Sequence, residues 1–261
     1  MTHPTASPVT VLKVGGARLG ARTDLDRLAD RILTLHRAGQ QAIVVHGGGP
    51  EISDLHDRLD IPFEKVAGLR ATSEQGMEAT AMVLCGSVRT RIVERFTARG
   101  LDCLGVSGVD LGLLRAPFAD RAALGRVGGP PEVDVERLRA LLALDLTLVL
   151  SPVSIGPDGG AVNVNADDAA HAIATALGAA SLDFVSDVPG VRVSEGRVAR
   201  RLDPSAIGEL VRNRTVRGGM VPKLRAATAA VRAGVERVRI GDLASMATDR
   251  ATVITGQEAM S

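Results

Sequence analysis

Short β-branched runs alternate along this chain with longer stretches in which apolar residues recur every three or four positions. Residues 9–13 and 41–45 are such runs, closed by Gly15-Gly16 and by His46-Gly47-Gly48-Gly49, and they read as strands that each deliver a glycine loop. Between them, Leu25, Leu28, Ile32, Leu33 and Leu35 mark the buried stripe of a helix over 23–37. The same rhythms predict helices over 51–59, 74–98, 135–144, 166–177, 204–213 and 222–233, and strands over 102–106, 146–150, 181–185, 237–240 and 252–254. A glycine-broken stretch, 108–112, precedes a polar segment, 116–131, expected to form a hairpin or cover loop. Turns are expected at 187–190 and at 156–160, the second joining two lobes. Strands alternating with helices imply an α/β fold with a mostly parallel sheet covered on both faces, whose ligands gather at the carboxyl ends of the strands.

Composition narrows the partners. Over 261 residues, hydrophobic residues make up 45% and charged residues 23%, as in a globular protein with a substantial core. Trp and Tyr are absent and Phe occurs only 4 times, so that core is aliphatic. The 31 basic and 30 acidic residues leave a net charge of +1, no field to hold a polyanion, and nucleic acid is not an expected partner. Arg supplies nearly all the positive charge; Lys occurs only at Lys13, Lys65 and Lys223. Cys85 and Cys103 have neither metal-ligand spacing nor a disulfide-rich context; they read as small core residues in a cytoplasmic protein. No apolar run reaches membrane-spanning length, and residues 1–8 read as a short tail.

Five motifs carry the candidate chemistry: Lys13-Val14-Gly15-Gly16, His46-Gly47-Gly48-Gly49-Pro50, Gly68-Leu69-Arg70, Asn163-Val164-Asn165-Ala166-Asp167 and Gly218-Gly219-Met220-Val221-Pro222-Lys223. Together they offer bare amides, cations and a carboxylate, the groups that phosphoryl transfer between anions requires. Each also has an ordinary reading. The glycine loops serve equally as tight turns, Lys13 as a solvated surface charge, Lys223 as a first-turn helix residue, Arg70 as one arginine among many, and Asp167 as a helix cap. His46 reads as structural. Neither loop matches a dinucleotide fingerprint or a Walker-type loop, so a nucleotide would be held by another architecture.

In order and spacing these motifs, from about residue 11 to 254, resemble the amino acid kinase family. That resemblance implies a single domain with a three-layer αβα sandwich and two lobes, 10–156 for the amino-acid substrate and dimerisation and 157–258 for ATP. It implies that Lys13 and Lys223 stabilise the transition state and that Asp167 orients them. Gly15, Gly16 and Gly47 would meet the transferring phosphoryl group. Gly48, Gly49, Arg70 and Asn163 would hold the acceptor, with Arg70 on its α-carboxylate. Ser186, Asp187, Gly190, Gly219 and Met220 would border the nucleotide, which would be ATP with Mg²⁺.

Within the family, Gly68-Leu69-Arg70-Ala71-Thr72 and Asn163-Val164-Asn165-Ala166-Asp167 follow the pattern of members that phosphorylate the side-chain carboxylate of N-acetyl-L-glutamate in arginine biosynthesis. Members acting on carrier-bound aminoadipate or glutamate carry Asn-x-Asp-Gly-Asp at the second place. Aspartokinases bear a long carboxyl-terminal extension, and glutamate 5-kinases and carbamate kinases diverge around Arg70. An acceptor held on a carrier protein and a sensor without turnover are the alternatives. The pattern departs from the family at Leu111, in a short 116–131 loop and at Ile240-Gly241-Asp242. The stretch before the first strand is too short for the helix that links arginine-regulated members into rings, so a homodimer insensitive to arginine is expected, joined through 74–98.

Overall fold

The computed structural model describes residues 7–15, 20–66, 69–193 and 196–256. In chain order it contains β1 (Val9–Val14), α1 (Arg22–Arg37), β2 (Gln41–His46), α2 (Gly49–Arg58), β3 (Lys65–Val66), β4 (Leu69–Arg70), α3 (Glu74–Ala81), a π-helical stretch (Met82–Val88), α4 (Arg89–Ala98) and β5 (Cys103–Ser107). A 3₁₀ turn (Asp110–Gly112) leads to β6 (Leu114–Arg115), α5 (Arg121–Leu124), β7 (Val127–Gly128), β8 (Glu132–Val133), α6 (Val135–Leu142), β9 (Thr147–Ser151), β10 (Val153–Ile155) and β11 (Ala161–Val164). The rest is α7 (Ala166–Leu177), β12 (Ser181–Val185), β13 (Arg201–Leu202), α8 (Pro204–Arg212), α9 (Met220–Arg232), β14 (Arg237–Gly241), α10 (Leu243–Ala247) and β15 (Thr252–Ile254).

Eight strands form the central sheet in the order β13-β15-β14-β12-β1-β2-β9-β5. Its pairings are parallel except β14 with β15, which run antiparallel. Parallel strands put their carboxyl ends on one edge, and β1, buried along its whole length, sits between β2 and β12 in the middle. Its alternating side chains divide the core. Val11 packs with Ile43, Leu182, Ile173 of α7 and Leu224 of α9, while Leu12 packs with Val44, Leu28 of α1 and Phe96 of α4. Helices therefore cover both faces, the three-layer α/β arrangement expected.

Capping sets the helix starts. Asp134 accepts from the Arg137 amide at the head of α6, Asn165 from the Asp167 amide at the head of α7, and Asp203 from the Ala206 amide at the head of α8. Gly178, with a φ of 61°, ends α7 in the left-handed conformation that costs glycine least.

Three features differ from expectation. The helix read over 74–98 opens into the π-helical stretch, whose Leu84 and Val88 lie against Gly48 in the β2–α2 loop. The glycine-rich turn 156–160 closes the antiparallel β10–β11 pair, so the lobe joint expected there falls inside one hairpin of a second, five-stranded sheet, β7-β11-β10-β6-β8. The 116–131 segment, by contrast, forms the hairpin expected, with Phe118 bridged antiparallel to Gly128 around α5, and contributes β7 to that sheet. Cys85 and Cys103 are free but only half-buried, with Cys85 Sγ 3.1 Å from Ser151 Oγ.

Candidate active site

The carboxyl end of β1 delivers Lys13, the head of α7 delivers Asp167 and the first turn of α9 delivers Lys223. Lys13 Nζ lies 2.9 Å and Lys223 Nζ 3.3 Å from the same oxygen of Asp167. All three residues are buried, so neither lysine is a surface charge. Asp167 does not cap its helix, because Asn165 does so at 2.8 Å and frees the Asp167 carboxylate for the two ammoniums. Burial would push the Asp167 carboxyl up, yet Lys13 and Lys223 outweigh it and hold the group below the usual carboxylate range. Burial and the Lys13 charge push Lys223 down to about 8, against the pull of Asp167. Lys223 also stands 5.4 Å from the Phe184 ring centre.

Beside this cluster opens a cavity of about 260 Å³, lined by Lys13, the glycines 47–49, Arg70, Asn163 and Asp167 among others. Gly48 caps α2 without a side chain, so the helix turns its amide end and positive dipole towards the cavity. The loop packs closely there, since a Cβ on Gly48 would lie 2.7 Å from Leu84 Cδ2 and that side chain would have to shift. Gly47 spends its amide on the Val14 carbonyl at 3.1 Å and thereby ties the second loop to the first. His46 is fully buried with Nδ1 3.1 Å from the Gly47 carbonyl, and burial lowers its pKa to about 4. It is a neutral, structural residue at the root of the loop.

Arg70 reaches the opposite wall. Its guanidinium stacks on Phe63, 3.7 Å from the ring centre, and donates to Ser53 Oγ at 2.6 Å and the Gly49 carbonyl at 3.3 Å. Its Nη1 is buried without a hydrogen-bond partner among the described residues. An unpaired buried donor is costly, and a bound carboxylate would relieve that cost. Asn163 Nδ2 donates to Thr72 Oγ1 at 3.3 Å, and Thr72 Oγ1 in turn to the Arg70 carbonyl at 2.7 Å, linking the two residues expected at the acceptor.

The residues expected at the nucleotide stand apart from this cavity's lining. Ser186 and Asp187 follow β12, on the same sheet edge as Lys13, and Gly219 and Met220 begin α9 one turn before Lys223. Gly190 is buried against Thr252 and Val198, where a Cβ would come within 2.5 Å of both side chains, a packing position. Gly16 and Gly68 lie outside the described residues, as do residues 1–6. Lys65, unassigned by motif, lines the cavity from β3, in antiparallel register with Arg70. Its signal was in the sequence: it is one of only three lysines.

A family model described as the amino acid kinase family matches residues 8–242. An acetylglutamate kinase of Roseiflexus sp. (strain RS-1) is 44% identical over 258 residues, 98% of this chain and 97% of that protein. A crystal structure from Streptococcus mutans UA159 superposes with a TM-score of 0.84 at 28% identity, covering 95% of this chain and 98% of that one. The structure of Giardia carbamate kinase shares the fold, with a TM-score of 0.71 at 18% identity over 97% of this chain and 100% of its own.

Proposed function

The chain belongs to the amino acid kinase family, and we propose that it transfers the γ-phosphoryl group of MgATP to the side-chain carboxylate of N-acetyl-L-glutamate. Two lysines from distant parts of the chain meeting on one oxygen of Asp167, beside a glycine-lined helix terminus, carry the reading. The acceptor is inferred from the acetylglutamate kinase that matches 98% of the chain.

An oxygen of the acceptor carboxylate attacks the γ-phosphorus, the bond to the β–γ bridging oxygen breaks, and ADP leaves with that electron pair. A carboxylate is already ionised at neutral pH, so no general base is needed. The obstacle is repulsion between anions, and the groups present answer it. Lys13 and Lys223 neutralise charge on the transferring group, held together and in place by Asp167. Amides of Gly15, Gly16, Gly48 and Gly49 supply further donors, and Gly47 braces their loop. Arg70 and Asn163 hold the α-carboxylate side of the acceptor, which aligns the attacking oxygen. Magnesium enters on the phosphates, whose oxygens complement ammoniums and amides. Ser186, Asp187, Gly219 and Met220 border the nucleotide, and Gly190 shapes their loop.

On this reading the carboxyl-terminal part of the chain holds ATP and the amino-terminal part the acceptor. The protein is a cytoplasmic homodimer joined through residues 74–98, where Met82 stands 62% exposed. A coupled ADP-release assay with MgATP, N-acetyl-L-glutamate and hydroxylamine tests the activity. ADP appearing together with hydroxamate supports it; release only with a carrier-bound acceptor, or none from folded protein, contradicts it.

A further inference from the structure

Arg126 belongs to none of the motifs and does not line the cavity, yet it joins the two segments that carry the acceptor-side residues. Its backbone amide donates to the Thr72 carbonyl at 2.7 Å, and its carbonyl accepts from the Asn163 amide at 2.8 Å. Thr72 returns the contact by donating its amide to the Leu124 carbonyl at 2.9 Å. The approach is so close that a Cβ on Gly125, whose φ is +66°, would lie 2.4 Å from the Thr72 oxygen. The side chain spans the same junction. Its Nε pairs with Glu74 at the start of α3, and its Nη2 donates to Asp158 at 2.8 Å. Its Nη1 donates to the Ala161 carbonyl at 3.2 Å, at the start of the strand that holds Asn163.

We propose that Arg126 is a positioning residue of the acceptor site, a staple that fixes the Arg70 strand, the head of α3 and the Asn163 strand in one register. The proposal rests on the reading that Arg70 and Asn163 hold the acceptor. Two backbone segments far apart in sequence, 70–74 and 158–163, converge on one residue, and the Thr72 hydroxyl carries the link directly from Asn163 to the Arg70 carbonyl. The carboxylates that grip Arg126 are 63% and 40% exposed, at Glu74 and Asp158, so these ion pairs add little to global stability. A geometric role and a purely stabilising role therefore predict different outcomes. Loss of the fork would loosen Arg70 and Asn163 together and leave Lys13, Asp167 and Lys223 in place.

The test compares the parent with Arg126→Ala, Arg126→Lys and the milder Asp158→Asn. Arg126→Ala should raise the acceptor KM about 10- to 100-fold, the scale of a small misplacement at a binding site, with ATP KM and kcat within about threefold. Arg126→Lys, which keeps the charge without the fork, should restore only part of the affinity, and Asp158→Asn should show a smaller rise of the same kind. Hydrogen exchange of the folded full chain should quicken in residues 69–73 and 161–164 together, with no change around Lys13. Parallel shifts in both KM values, or exchange that quickens only in the 156–160 turn, would overturn the proposal. A parent that fails to turn over acetylglutamate would remove the proposed function, while the exchange experiment would still judge the staple.

Discussion

Replacing Asp167 with Asn removes the one negative charge from a buried cluster and keeps its shape. The two ammoniums lie 2.9 and 3.3 Å from its oxygen, and at an effective dielectric constant of about 20 each contact is worth roughly 5 to 6 kcal/mol of direct attraction. Part of that is already offset by desolvation, which is why Lys223 titrates at about 8 rather than at its usual value. Without the carboxylate the lysines repel each other, and Lys223, whose charge Asp167 helps to keep, gives up its proton at a lower pH than in the parent. One preorganised cation is then missing from the transition state, a loss of about 100- to 1,000-fold in kcat. Misorientation of Lys13 adds to it. The KM for acetylglutamate should change little, since Arg70 and Asn163 are untouched. Steady-state ADP release at pH 7.5, with circular dichroism to confirm the fold, measures this. A folded Asp167→Asn enzyme with kcat within about threefold of the parent would refute the assigned role of the cluster.

Other predictions follow from the same geometry. In the parent, kcat/KM should fall as pH rises through about 8, where Lys223 loses its proton, and Lys223→Arg should abolish that limb at lower overall activity. Arg70→Ala should raise the acetylglutamate KM by about 100-fold, the loss of one or two charge-assisted hydrogen bonds, and leave the ATP KM within a few-fold; equal shifts would show that Arg70 is misassigned. His46 titrates at about 4 when folded and near 6.5 when unfolded, so the unfolded chain binds the extra proton between those values. Stability is therefore fully present above about pH 6.5 and declines towards pH 4, by about 3 kcal/mol from this residue. His46→Gln should flatten the dependence of Tm on pH in that window, and an unchanged slope would count against the buried neutral imidazole.

The fold was legible where hydrophobic period and punctuation agree. Ala166–Leu177, Ser181–Val185 and Thr252–Ile254 stand where the sequence placed them, bounded by an Asn cap, a left-handed glycine and β-branched runs. The five-stranded sheet was not legible, because several of its strands are two residues long and carry no periodic signal. The π-helical stretch was hidden for a related reason: one extra residue per turn leaves the apolar pattern of 74–98 looking like ordinary helix. The turn at 156–160 has the composition of a linker, and only strand pairing reveals it as a hairpin. At the site, motif order brought Lys13, Asp167 and Lys223 into one expectation, but not their burial or the capping of α7 by Asn165. Arg126 was out of reach, since its guanidinium fork joins Glu74 and Asp158, carboxylates distant in the chain that no local pattern pairs with it.

The step on which the proposed activity stands is attack of a carboxylate oxygen of acetylglutamate on the γ-phosphorus. It is tested most directly with N-acetyl-L-glutamate carrying ¹⁸O in the side-chain carboxylate, MgATP and hydroxylamine, by mass analysis of the phosphate released. Attack of hydroxylamine at the acyl carbon sends the bridging oxygen out with phosphate, so the account predicts one labelled oxygen per phosphate and an equal yield of hydroxamate. Phosphate free of label would contradict it.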